Sequence, residues 1–420
     1  MKKTITLPLI LISLLLFATV TLASDPLDPQ ELQSRINILE QQLNDRQKQL
    51  NSQRQEIETN VQHISKHKRD IDGNREHLQE QEENLEKTHA NHEQLAPFSE
   101  SLKLIGKHLR IGGVVEVEIG FSEDYNDNNE SDIVLATITL DIDIDLHKYV
   151  KAHILLLWEE DDTEPVDLDE AYILLGNTEH FPLYLQIGKL YLPFGNFESH
   201  MISDPLTLGL GESRESAVIL GIDFNGLHAS AYAFNGDINE NRDDDEIKCF
   251  GLNAGYAFEN ETFNFDIGAG WINSIADSDG LTDALPGDIK NYVAGVTAHA
   301  IFFWQGLTLI GEYLGATDEF EVSELNFKGS GAEPKTWNIE LGYTFEISGH
   351  ETVIALAYQG SDEALALELP EERYLGSFGV GLADGLSLVV EYAHDEDYDE
   401  KDGGTGDNAD TVTLRMALEF

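Results

Sequence analysis

From Leu109 to the end of the chain, apolar and polar residues take turns. Ile138, Leu140, Ile142 and Ile144 alternate with Thr137, Thr139, Asp141 and Asp143, and Phe250, Leu252, Ala254, Tyr256 and Phe258 alternate with Gly251, Asn253, Gly255 and Ala257. Trp337, Ile339, Leu341, Tyr343 and Phe345 are set against Asn338, Glu340, Gly342 and Thr344. The last run sets Val412, Leu414, Met416, Leu418 and Phe420 against Thr413, Arg415, Ala417 and Glu419. A period of two is the signature of a β-strand, whose successive side chains point to opposite faces. Each run therefore carries an apolar face that needs a solvent. In a sandwich that solvent is a protein interior; in a membrane barrel it is lipid, and the polar face lines water.

The connections decide between the two. Runs of about ten residues, the length a tilted membrane strand requires, begin near Leu109, Ile133, Val150, Asp167, Leu183, Ala217, Leu227, Cys249, Phe263, Tyr292, Leu307, Thr336, Glu351, Arg373, Leu386 and Thr411. Five connections are tight: Asn225-Gly226, Glu259 to Thr262, Trp304 to Gly306, Ile347 to His350, and Ala383 to Gly385. Those between them are longer, including Tyr191 to Ser216, Asn235 to Ile247, Ser274 to Asn291, Thr317 to Lys335 and Glu396 to Asp410. Strict short-long alternation is what periplasmic turns and extracellular loops produce. The expected fold is an all-β transmembrane barrel of about sixteen antiparallel strands. An even count places both barrel ends on the periplasmic side. Tyr149, Trp158, Phe181, Tyr184, Trp304, Tyr313 and Tyr392, near strand ends, suit interfacial aromatic girdles.

The segment before the barrel has a different composition. Lys2 and Lys3, an apolar run from Leu7 to Val20, and Thr21-Leu22-Ala23 predict a signal peptide over 1–23, cleaved after Ala23. The alternative is an uncleaved anchor, for which the run is short. Residues 24–96 read as an α-helical coiled coil: Ile36, Leu43, Leu50, Ile57, Ile64, Ile71, Leu78 and Leu85 recur every seven residues. The other seam position is Leu39 and then Arg46, Gln53, Asn60, His67, Asn74 and Gln81, so the core is wet. A homotrimer through this helix, or contact with peptidoglycan, is the expectation; a lone amphipathic helix on another surface is the alternative. Residues 97–108, opened by Pro97, are a linker, and 109–420 the barrel.

Charge narrows the function. With 78 acidic against 26 basic residues and a net charge of −52, the chain repels phosphate, so nucleic acid is not a partner. A single cysteine, Cys249, excludes an intramolecular disulfide and a Cys-based zinc cluster. The acid concentrates in loops, at Asp243 to Glu246 and at Asp395, Glu396, Asp397, Asp399, Glu400 and Asp402. An EF-hand fails because its required sixth-position glycine is Glu400. Solvated loop charge is the plain reading, with diffuse cation bridging to lipopolysaccharide as the alternative. His63 and His67, one helical turn apart, are seam or exposed residues before they are a metal site. His228 and Ser230 share a strand face, as short polar residues of a lumen wall do by chance, so no enzyme is expected. No phosphate cradle or metal-ligand set calls for a cofactor.

The loop from Leu192 to Ser216 stands apart from the acidic ones by being longer and more apolar. It is expected to fold inward and narrow the lumen, with Glu198, His200, Asp204, Glu212 and Arg214 as candidate constriction groups; a cap over the mouth is the alternative. Asp141, Asp143, Asn253, Glu340 and Arg415 are the expected lumen-facing residues, placed by strand alternation.

Five stretches carry a family resemblance: Asp169-Glu170-Ala171, Gly188-Lys189-Leu190-Tyr191-Leu192-Pro193-Phe194-Gly195, Ser203-Asp204-Pro205-Leu206-Thr207, Leu210-Gly211-Glu212 and Phe234-Asn235-Gly236. Over 109–420 the chain resembles the LbtU family of siderophore porins, the legiobactin-receptor-like outer-membrane proteins. The resemblance implies a sixteen-stranded barrel that takes up iron-siderophore complexes without a plug domain or direct energy coupling. It implies no particular ligand-contacting residue. The readings that stand beside it are a general small-solute porin and an envelope tether joining the outer membrane to peptidoglycan through the coiled coil.

Overall fold

A computed structural model describes residues 106–160, 163, 165–240, 247–260 and 262–420. The signal peptide, the coiled coil with His63 and His67, most of the linker and the acidic run Asp243 to Glu246 lie outside these residues.

Sixteen antiparallel strands form the wall: β1 Val114–Glu123, β2 Asn129–His147, β3 Val150–Trp158, β4 Asp167–Asn177, β5 Phe181–Tyr191, β6 Arg214–Phe224, β7 Leu227–Asn235, β8 Cys249–Glu259, β9 Phe263–Ile272, β10 Gly295–Trp304, β11 Leu307–Ala316, β12 Lys335–Ile347, β13 His350–Asp362, β14 Glu372–Ala383, β15 Leu386–Glu396 and β16 Asn408–Glu419. Each pairs with its neighbour in sequence, and β16 returns to β1, with Val412 opposite Phe121 and Arg415 opposite Glu118. The sheet has no open edge, which lipid demands because it supplies no hydrogen bonds. A short strand, Leu109–Gly112, continues β1 backward and pairs with the far end of β2. Gly113 joins the two pieces, where a Cβ would collide with the Thr139 carbonyl oxygen. The terminal Phe420 exchanges two 3.1 Å backbone bonds with Gly113 and completes the seam.

The tight connections are built as the dipeptides suggest. Asn225-Gly226, Gln305-Gly306 and Ser348-Gly349 all have positive φ at both residues, the backbone that matches the twist of a two-residue hairpin. They share one end of the barrel; the long connections share the other.

The wall is inverted relative to a soluble protein. Leu220, Leu252, Ile339 and Leu356 are exposed on its outer face, whereas Glu340 and Gln359 are fully buried on the inner one. Burying an aliphatic side chain is worth roughly 1.5–3 kcal/mol, so an outer face of this kind is stable only in lipid. Tyr184 departs from the girdle expectation. It lies on the inner face, its ring over Gly221, packed against the buried apolar cluster.

That cluster sits mainly among the long connections. Phe194, Leu210, Ile275, Leu281, Ile289, Phe320, Leu325, Phe327 and Tyr398 pack together, drawn from connections 192–213, 273–294, 317–334 and 397–407. Two short helices, α1 Leu206–Gly211 and α2 Asp279–Ala284, belong to it. The connection 397–407 was expected to be solvated charge, yet Tyr398 is buried there, its hydroxyl 2.6 Å from Ser361 Oγ and 3.1 Å from the Ala364 nitrogen. Its acids act as local acceptors: Asp397 takes the Thr405 amide and hydroxyl at 2.6 and 2.7 Å, and Asp402 meets Lys328 at 2.7 Å.

Candidate functional site

The connection 192–213 runs from the end of β5 and lies along the inner faces of β10 to β16. Its apolar start docks first, with Phe194 buried near Ile275 and beneath Gly295. Thereafter polar wall residues hold it, one strand after another. Glu312 of β11 accepts the Asn196 and Phe197 amides at 2.6 and 3.2 Å and the Thr207 hydroxyl at 2.7 Å. Glu340 of β12 accepts the Ser199 hydroxyl at 2.7 Å and the His200 amide at 2.8 Å, and lies 2.6 Å from His200 Nδ1. Glu391 of β15 accepts the Ile202 amide, the Ser203 amide at 3.1 Å and the Ser203 hydroxyl at 2.5 Å. On the way back, Gln359 of β13 accepts the Leu206 amide at 3.2 Å.

The physical reason is the backbone. A loop laid inside a barrel buries amides that no ladder partner can reach, and unpaired buried amides are costly. Carboxylates are acceptor-only groups with room for several donors. Three of them, one per strand, therefore serve as ready-made acceptors for a segment without secondary structure. Donors contribute as well: Arg415 Nη2 reaches the Ile202 carbonyl at 3.2 Å, and Ser377 Oγ the His200 carbonyl at 3.2 Å.

The five groups proposed for the constriction occupy different surroundings. Glu198 is exposed, and Asp204 is exposed within the field of Arg415 and Arg373. His200 is turned toward the wall by Glu340. Glu212 and Arg214 lie where the connection rejoins the barrel. Arg214 pairs with Asp169, and with Asp167 at 3.4 Å, on the strand face it shares with exposed Val218 and Leu220. Burial, reinforced by Asp279, Asp204 and Asp169, pushes the Glu212 carboxyl up to about 7.

The wall opposite the connection is charged. Asp143 Oδ1 lies 2.9 Å from His153 Nδ1, and Asp141 and Glu170 lie 3.8 and 3.6 Å from its Nε2. Arg415 joins Glu118 at 2.6 Å and Glu116 at 3.6 Å. Asn253 is half-buried on the β8 face of Cys249 and Gly251. His228 and Ser230 share the inner face of β7, with His228 Nε2 4.0 Å from Asp266 and Ser230 Oγ without a hydrogen-bond partner. Among the described residues, no group of three His, Cys, Asp or Glu is placed to hold a metal ion.

Sequence reasoning reached Glu340 but missed Glu312, Gln359, Ser377 and Glu391. A signal was present. Glu312 stands between Ile310 and Leu314 on its inner face, and Glu391 between Val389 and Ala393. A lone carboxylate amid apolar inner residues marks a partner that must arrive from elsewhere.

A closed antiparallel wall of sixteen strands, apolar outside and polar within, defines a porin-like barrel of the outer membrane. No family model matches the chain. It is similar to UPF0422 proteins: it is 29% identical to one from Coxiella burnetii, over 70% of this chain and 66% of that protein. It is 30% identical to one from Legionella pneumophila strain Paris, over 74% and 66%. The chain thus spans just under two thirds of the length of these curated relatives. In fold it is similar to OprB of Pseudomonas putida, with a TM-score of 0.54 and 11% identity over 76% of this chain and 96% of that one. It is similar also to the outer membrane channel DcaP of Acinetobacter baumannii, with a TM-score of 0.51 and 14% identity over 74% and 97%.

Proposed function

We propose that this barrel is a diffusion channel without plug or direct energy coupling, and that the solutes it takes up are iron-siderophore complexes. The observation that carries the channel reading is the path of connection 192–213, which is hydrogen-bonded along one side of the inner wall, β11 to β16, and not to the charged side, β1 to β4. A passing solute meets Glu198 and Asp204 on the connection and Asp141, Asp143 and Glu170 opposite them. Binding must stay weak, since a channel has to release what it admits.

The siderophore assignment is supported by where the family-like stretches fall. Gly188 to Gly195 is the end of β5 and the entry to the inward connection. Ser203 to Thr207 is the part bonded to Glu391, Gln359 and Glu312. Three of the five stretches thus lie in the inward connection or lead into it, while Asp169 to Ala171 and Phe234 to Asn235 belong to β4 and β7.

Two measurements test this in order. The purified full chain in a planar bilayer is expected to give stepwise ohmic currents; a sealed barrel would overturn the channel and favour the envelope tether. Iron-starved cells lacking the gene, supplied with single siderophores, are expected to lose growth on at least one. An unchanged growth profile would remove the siderophore assignment and leave a channel for other small solutes.

A further inference from the structure

Between the inward connection and the hairpin end of β7 to β10 lies an open cavity of about 710 Å³, a volume within the range of sites for drug-sized ligands. Glu198 and Asn196 reach it from the connection, and Asp266, Glu259, Ile301 and Phe303 line it from the wall. Among the described lining residues there are three carboxylates and no lysine or arginine.

Two features make this more than a patch of acid. Phe303 is on the inner face of β10, in alternation with His299 and Thr297, yet it stays 38% exposed. Other bulky apolar groups on the inner face, such as Leu314 and Phe234, are covered by the connections; no connection among the described residues covers this ring. The register then sets a spacing. Ile301 is directly opposite Asp266, and Phe303 opposite Asn264, so the carboxylate adjoins one apolar side chain and is diagonal to a bare aromatic ring, a separation of roughly 5–8 Å. Asp266 Oδ1 lies 3.2 Å from Nε2 of His299, two residues before Ile301 on β10, and 4.0 Å from His228 Nε2.

We propose that this cavity is a lumenal subsite for organic cations whose positive group is held by Asp266 and Glu198 while an aromatic or aliphatic body covers Phe303 and Ile301. The inference rests on the channel reading alone, not on the siderophore assignment, and adds a second class of solute that the lumen holds. A carboxylate pair attracts any cation, and the ring adds cation–π and apolar contact that a small inorganic ion cannot use. An aromatic anion would meet three carboxylates and be turned away.

The test is current block in a planar bilayer containing the purified full chain in potassium chloride. Phenethylammonium, tetramethylammonium and phenylacetate are added separately at matched concentrations. Phenethylammonium is expected to block at about tenfold lower concentration than tetramethylammonium, and phenylacetate not to block. Phe303→Ser is expected to erase the tenfold preference while leaving tetramethylammonium block in place. Glu198→Gln, a change on an exposed loop residue, is expected to weaken block by both cations. Equal block by all three compounds, or a preference indifferent to both substitutions, overturns the subsite with the channel intact. Absence of any current overturns the channel, and the subsite falls with it.

Discussion

At the scale of single residues, the loop-end cluster carries an electrostatic cost in Asp277. Its side chain is almost wholly buried, with Oδ1 accepting the Ile238 amide at 2.9 Å and Oδ2 3.5 Å from Cys249 Sγ. Burial pushes this carboxyl up from 3.8 to about 6. A carboxyl raised on folding favours its protonated form in the native state, so its contribution is complete below about pH 4 and is lost as pH rises through about 6. Glu212, pushed up to about 7, extends the same trend toward neutrality. The expected result is faster opening of this cluster at pH 7.5 than at pH 5. Hydrogen exchange of the Ile238 amide, corrected for intrinsic rate, measures it. Asp277→Asn keeps an acceptor without the charge, and should shrink the difference without abolishing it, since Glu212 and Asp279 are also raised by burial. An undiminished pH effect in that variant would locate the charge elsewhere.

At the scale of elements, the strands were legible and the connections were not. Strand starts inferred from alternation near Val150, Asp167, Leu227, Cys249, Phe263, Leu307 and Leu386 coincide with the observed ones, because period-two patterning is imposed locally by having lipid on one side and water on the other. The inward connection obeys no period. Its path is written partly on distant strands, in Glu312, Glu340 and Glu391, and pairings across more than a hundred residues leave no local trace. These carboxylates are positioning residues, and a hydrogen bond to a charged acceptor is worth about 1.5–3 kcal/mol. Glu340→Ala removes the partner of the Ser199 hydroxyl and the His200 amide, leaving Glu312 and Glu391 to hold the flanks. The connection should then fluctuate into the lumen. Single-channel recordings are expected to show excess open-channel noise and brief closures, while the heat resistance of the barrel in detergent stays near that of the parent. A quiet channel would mean the apolar anchors Phe194 and Leu210 suffice.

At the scale of the whole molecule, the acidic excess read from the sequence becomes a property of the lumen rather than of the loops alone. Among the described residues, the arginines facing this space are already committed: Arg110 to Asp143 and Asp145, Arg373 to Asp395, and Arg415 to Glu116 and Glu118. Among the described residues no such partner neutralises Glu198, and Asp266 has only histidines beside it, so mobile cations must supply the remaining charge. A low-dielectric wall keeps that field inside the channel. The preference should be steep at low salt, because the screening length is about 10 Å at 0.1 M and about 3 Å at 1 M, the second being shorter than the distance from wall to stream in a barrel of this width. Reversal potentials across a tenfold potassium chloride gradient are thus expected to lie close to the cation limit with 0.01 M on the dilute side. They should move toward zero when both sides are raised above 1 M. Substituting Asp141 and Asp143 together with Asn should reproduce part of that shift at low salt, since both belong to the charged wall. A selectivity that ignored ionic strength would require close-range binding of each permeating ion instead of a field, and would transfer the control of permeation from the charged wall to the inward connection.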